Sequence, residues 1–333
     1  MDTIRTNLIN FGEKRGKPYA QSSITTYLRN IGKLYEKVGI EGPMSDMTWA
    51  YNPDIIEKAL VSLKPTTQRN YYNALIIGLY ATPSKEADEA RGIYEGRREI
   101  LNAEYDKNKG QPTEAQAKVL KEVNKDMILK MIVDTSKSDS RMDNLTNLLF
   151  LIHSNYPFRN EMAKIQVIQK EQYIKPAVNE ERNNYLLIGK SGKGRRLQDH
   201  TLTFKLNDTK TYAKYGEKSI EVDDMPTKMA LLKWIKQDIT DDVNIVLPIP
   251  TYLFTWATGK PLMKNDISHL MSNFSNKHIG YSVSTTLMAK LFNEIPEGNT
   301  ATKEEIDLIK KKAHIRGHTI KVSATIYNPT ISI

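Results

Sequence analysis

No cysteine occurs among the 333 residues, which excludes disulfides, thiolate metal centres and cysteine nucleophiles and fits a reducing compartment. No apolar run approaches the roughly 20 residues that a bilayer span requires. The opening Met-Asp-Thr-Ile-Arg-Thr also lacks the charged-then-apolar layout of a secretory leader. Internal repeats and low-complexity tracts are absent as well. The six histidines show no metal-ligand spacing, and His314 with His318 has no carboxylate pair nearby to complete a zinc site. Together these absences predict a soluble intracellular protein with no metal and no other cofactor.

Basic charge is what the chain has in excess. Lys and Arg number 48 against 39 Asp and Glu, a formal net charge of +9, and this favours a polyanionic partner. The length suffices for two domains, each with its own core.

Residues 1–16 are polar and basic and are expected to form a flexible arm. From Ser22 the apolar positions Ile24, Tyr27, Leu28, Ile31, Leu34 and Tyr35 follow helical spacing. Further helices are expected from Asn52-Pro53 and from Thr66, so that 17–110 reads as an all-helical domain. It ends in a charged, solvated helix over 84–109 that bridges to the remainder. In 111–333 helices resume at Thr113 and Met142, the latter with the buried run Leu148-Leu-Phe-Leu-Ile152. The period then switches to short strands near Tyr185–Ile188, Leu202–Phe204, Ile220–Val222, Ile245–Leu247 and Tyr252–Phe254, with a helix from Thr227. The fold class is therefore α+β and mostly helical, with a small antiparallel sheet inside the second domain.

At the C-terminal end Gly317-His318 precedes Tyr327 by nine residues. A tyrosine can attack a DNA phosphodiester only where cations stabilise the charged transition state and an acid protonates the departing oxygen. Arginine suits the first task, because its planar guanidinium holds two phosphate oxygens at once. Arg159 follows Tyr156-Pro157-Phe158 just after the buried helix, and Lys210 lies in a candidate hairpin that runs to Val222.

These segments, in this order, resemble the tyrosine recombinases (integrases), particularly those of large DNA viruses and their mobile elements. Pro157-Phe-Arg159-Asn-Glu161 resembles the first-arginine motif. Lys210-Thr211 ahead of Gly216-Glu-Lys218 resembles the β-hairpin lysine. Gly317-His318 resembles the Gly-His motif, and Tyr327 stands at the nucleophile's spacing. The helical region from Ser22 to Tyr80 resembles the family's SAM-like core-binding domain, so that the likeness spans most of the chain.

The resemblance implies that Arg159 holds the scissile phosphate, Lys210 is the general acid, His318 donates to the phosphate and Tyr327 forms a 3′-phosphotyrosyl bond. It implies double-stranded DNA as partner, monomers or dimers in solution and a tetramer on DNA. It also aligns Val283 to Phe292 with the helix that carries the family's second arginine and puts Ala289 there. Three readings of that departure are open: an arginine-to-alanine inactivated variant, a charge supplied by Lys290 or Arg316, or a DNA-binding protein that does not cut. A type IB topoisomerase is the nearest enzymatic alternative. Gly189-Lys-Ser-Gly-Lys-Gly-Arg-Arg196 lacks the spacing of a nucleotide phosphate loop. Its Lys190, Lys193, Arg195 and Arg196 are instead expected to touch DNA backbone, as is Arg69 of the first domain.

Overall fold

The computed structural model describes residues 2–40, 44–108, 111–177, 182–190, 199–209, 211–237, 251–293 and 303–317. Two compact units, 1–109 and 110–333, make up the chain.

The first unit is helical: α1 (Asp2–Lys14), α2 (Gln21–Val38), α3 (Pro53–Leu60), α4 (Pro65–Ala81) and α5 (Lys85–Asn108). Ile24, Leu28, Ile31 and Leu34 form the buried stripe of α2. Gly39 ends that helix in the left-handed region at φ 68°, which a residue without Cβ adopts at least cost. Asn52 caps α3 by accepting from the Asp54 amide at 3.1 Å, and Pro53 supplies a preset first turn.

Two expectations are corrected here. Residues 2–14 form a helix and not a flexible arm, because Ile4, Leu8 and Phe11 recur at helical spacing. Ile4 and Leu8 are fully buried, and Phe11 stacks on Tyr80 at 5.4 Å. The charged helix α5 is not a solvated bridge either. Ala87, Ala90 and Tyr94 enter the core of the first unit, and the Tyr94 hydroxyl donates to the Ala50 carbonyl at 2.6 Å. Small alanines and a tyrosine made a weak periodic signal among so many charges, yet together they provide a packing face.

The second unit contains α6 (Glu114–Glu122), α7 (Lys125–Asp134), α8 (Arg141–Asn155), β1 (Gln166–Gln169), β2 (Asn184–Lys190), β3 (His200–Leu206), α9 (Tyr212–Tyr215), β4 (Lys218–Glu221), α10 (Met225–Gln237), β5 (Thr251–Tyr252), α11 (Lys264–Ile279), α12 (Thr285–Asn293) and α13 (Lys303–Arg316). Helix α8 is buried on nearly every face, as its continuous apolar run requires. Asn147 on α8 donates to the Ile132 carbonyl and to the Thr135 hydroxyl, each at 2.6 Å, and so ties α7 to it.

The sheet runs in the order β4-β3-β2-β1-β5. Its pairings are antiparallel, as expected, apart from β1 with β2, which is parallel in the register Val167↔Leu186. The connection between those strands is long enough for the crossover that parallel pairing needs. The expected strand at Ile245–Leu247 lies outside the described residues. Among the described residues no helix is long and apolar enough to cross a membrane.

Candidate active site

Arg159 sits in a turn held from several sides. Phe158 packs edge-on against Phe204 of β3 at 4.9 Å and stacks with Tyr156 at 6.1 Å. The Tyr156 hydroxyl donates to Asp223 at 2.8 Å and accepts from the Asp224 amide at 3.0 Å. Asp223 in turn binds Lys311 of α13 at 2.7 Å, so one carboxylate joins the Arg159 turn to the last described helix. The side chain of Arg159 remains 24% exposed, 4.0 Å from Glu161.

A second turn is drawn to the same place by Asn184, the first residue of β2. Its amide donates to the carbonyls of Glu161 at 3.0 Å and Asp208 at 3.1 Å. Its side-chain oxygen accepts from the amides of Asn207 and Asp208, each at 2.8 Å. Such a satisfied buried network fixes a geometry, and here it locks the 207–209 segment onto the Arg159 turn. Behind that turn the Tyr173 hydroxyl donates to Glu217, which also binds Lys205 at 2.8 Å. Burial, reinforced by the Glu217 carboxylate, pushes the Tyr173 hydroxyl up to about 12. Burial alone would raise Glu217, but the bonds from Lys205 and Tyr173 outweigh it and hold the carboxyl below its ordinary value.

The end of α13 is the third component. Ile309, Ala313 and Arg316 are buried at i, i+4 and i+7, so Arg316, only 7% exposed, lies on the inward stripe of an otherwise charged helix. It donates to the carbonyls of Pro157 at 3.4 Å and Phe158 at 3.5 Å, which brings a second guanidinium against the Arg159 turn. Gly317 then turns the chain with φ 69°.

Lys218, 2% exposed, lies at the junction of these segments and donates to the Ile315 carbonyl at 3.3 Å. Burial lowers its pKa; Glu161 opposes that shift and Arg159 adds to it. A Cβ on Gly317 would stand 2.5 Å from the Lys218 ammonium and 2.3 Å from the Thr211 hydroxyl, so only glycine admits this approach. The arrangement concentrates two guanidiniums and an ammonium of reduced proton affinity at one spot, and that suits a phosphodiester with its leaving oxygen.

The sequence-predicted residues meet different outcomes. Arg159 is part of the cluster. Lys210, His318 and Tyr327 lie outside the described residues, as do Lys193, Arg195 and Arg196. Lys190 closes β2 opposite His200. Arg69 stacks its guanidinium on Tyr105 at 4.1 Å. Ala289 is 1% exposed within α12, a helix buried nearly all round, as core helices are. The guanidinium at the Arg159 turn is that of Arg316. Among the described residues no group of histidines and carboxylates could hold a metal ion.

Sequence reasoning overlooked His153 altogether. It is 1% exposed on α8, and neither ring nitrogen has a hydrogen-bond partner. Burial, with the Arg316 guanidinium adding to it, pushes its pKa down to about 3, so the folded protein keeps a neutral imidazole beside the cations. The unfolded chain, with histidine near 6.5, binds one more proton than the folded chain between those limits. His153 therefore lowers stability by about 1.4 kcal/mol for each pH unit below 6.5. Urea unfolding from pH 6 to pH 4 should show His153→Leu losing stability less steeply than the wild type by about that slope; parallel slopes would disprove it.

No family model and no curated protein matches the chain. Among solved structures it is similar to the Tn1549 transposon integrase in complex with circular intermediate DNA. The identity is 12%, 97% of this chain and 94% of the other are covered, and the TM-score is 0.53. A complex of that integrase with transposon right end DNA aligns over the same shares at 12% identity with a TM-score of 0.48. The XerA recombinase aligns at 11% identity, over 98% and 93% of the two chains, with a TM-score of 0.38. On the first of these likenesses, this chain has the tyrosine-recombinase fold.

Proposed function

We propose that this protein cuts and rejoins DNA as a site-specific recombinase or integrase, through a 3′-phosphotyrosyl intermediate on Tyr327. The observation that supports the reading is that Arg316 is held against the turn that leads into Arg159, while Lys218, which feels the Arg159 charge, stands beside Gly317, the residue before His318. Arg159 and Arg316 clamp the non-bridging oxygens of the scissile phosphate, and His318 donates to them. The Tyr327 oxygen attacks phosphorus, the bond to the 5′ oxygen breaks, and a lysine protonates that oxygen as it leaves. Lys210 and Lys218 are the candidates for this acid. Lys218 is favoured by its lowered pKa, since a weaker hold on the proton suits a donor working near neutral pH.

The covalent link conserves the energy of the broken bond, so religation to another 5′ hydroxyl proceeds without a nucleotide. Arg316 takes the place of the second arginine that the resemblance assigns to position 289, and no inactivating substitution is needed to account for Ala289. Arg69 and the basic 190–196 stretch grip the DNA backbone, which makes affinity salt-dependent. Two cuts on each of two duplexes call for four copies on DNA.

DNA selected from a random pool by binding, rebuilt as a nicked duplex that releases the short fragment bearing the new 5′ hydroxyl on cleavage, provides the test. The wild type should accumulate a covalent protein–DNA adduct in denaturing gels, and Tyr327→Phe should form none. Binding without any adduct would make the protein a silent DNA binder.

A further inference from the structure

The turn between β3 and α9 carries polar atoms that the fold leaves unused. Asn207 bonds through its amide to the Tyr173 hydroxyl at 3.2 Å and to the Asn183 carbonyl at 3.3 Å, but its side-chain oxygen has no partner. Among the described residues the hydroxyls of Thr209 and Thr211 are likewise buried without one. Native proteins rarely leave several such atoms orphaned along one short turn, because each costs its lost hydration. Threonine hydroxyls rotate freely to donate, and that of Thr211 stands near the Lys218 ammonium.

Thr211 is the best placed of them. Its hydroxyl and the Lys218 ammonium both lie within 2.5 Å of the one point where Gly317 lacks a Cβ, so the two groups are close neighbours. Lys218 in turn feels the charges of Glu161 and Arg159. A donor with no partner among the described residues, beside an ammonium, suits an anionic oxygen.

We infer that Thr211 contacts the substrate directly, its hydroxyl donating a hydrogen bond to a non-bridging oxygen of the phosphodiester that Arg159 and Arg316 hold. The role rests on the recombinase reading above. It adds a neutral donor to a charged clamp and makes Gly317 a steric requirement, since any side chain there would displace the hydroxyl.

The test uses the full chain and the nicked duplex. Thr211→Val keeps the shape and removes the donor, and should slow adduct formation roughly ten- to hundredfold. Thr211→Ser keeps the donor and should stay within about threefold of the wild type. The decisive measurement places a methylphosphonate at the scissile position, so that each diastereomer replaces one non-bridging oxygen by methyl. The wild type should be slowed by one diastereomer beyond the other, and Thr211→Val should narrow that preference, as two changes that remove the same contact do. A Thr211→Val protein that cuts at the wild-type rate, or keeps the full diastereomer preference, would overturn the role while the recombinase reading stands. A wild type that forms no adduct on the unmodified duplex overturns the recombinase reading and this role with it.

Discussion

Arg316→Ala should leave DNA binding largely intact yet slow covalent attachment to a nicked duplex by at least about a hundredfold, the scale seen when one preorganised donor to a transition state is lost. The expectation follows from where the guanidinium sits. It is held against the Pro157 and Phe158 carbonyls, in a turn whose next residue is Arg159, so under the proposed reading the two cations would act on one phosphate. Arg316→Lys should restore only part of the rate, because an ammonium lacks the planar fork that binds two oxygens together. Single-turnover rates at saturating protein separate chemistry from binding. An unchanged rate in Arg316→Ala would remove Arg316 from the phosphate clamp.

Ala289→Arg, the change that would recreate an arginine where the resemblance expects one, should instead destabilise the protein by on the order of 4 kcal/mol or more. The small side chain lies inside α12, with Leu287, Met288 and Leu291 buried beside it. A guanidinium there would be overpacked and would lose its water, and α12 carries no carboxylate to pair with it. Thermal or urea unfolding measures the effect directly. A variant as stable as the wild type and more active in adduct formation would return position 289 to the active site.

The contrast between those two positions shows how far the sequence could be read. The helical first unit, the buried α8 and the strands β2, β3 and β4 follow from periodicity, since each buries a regular stripe. Arg159 was legible because it ends a buried helix at a Pro-containing turn. Arg316 was legible in principle as well, immediately before Gly317-His318 and in phase with Ile309 and Ala313. The resemblance points to α12, a helix buried nearly all round, and there the sequence has Ala289.

Lys218 had the same kind of signal, since it alternates with Ile220 and Val222 on the inner face of β4. A lysine on that face needs a reason, and composition cannot supply one. What no sequence pattern could show is the Asn184 network, because it links the 161, 184 and 208 neighbourhoods through backbone groups of no sequence specificity. Helix α1 and the inward face of α5 were missed for a related cause: sparse apolar positions among charges become a face only when a partner surface is present.

The bond from Lys218 to the Ile315 carbonyl spans 97 residues, and that from Arg316 to the Pro157 carbonyl spans 159. In synthesis order, the sheet with Arg159 and Lys218 exists well before α13 is made. A chain that stops short of α13 has the Arg159 turn without the Arg316 guanidinium and Lys218 without the Ile315 carbonyl. The cluster around the Arg159 turn is therefore completed only by α13, the last of the described helices.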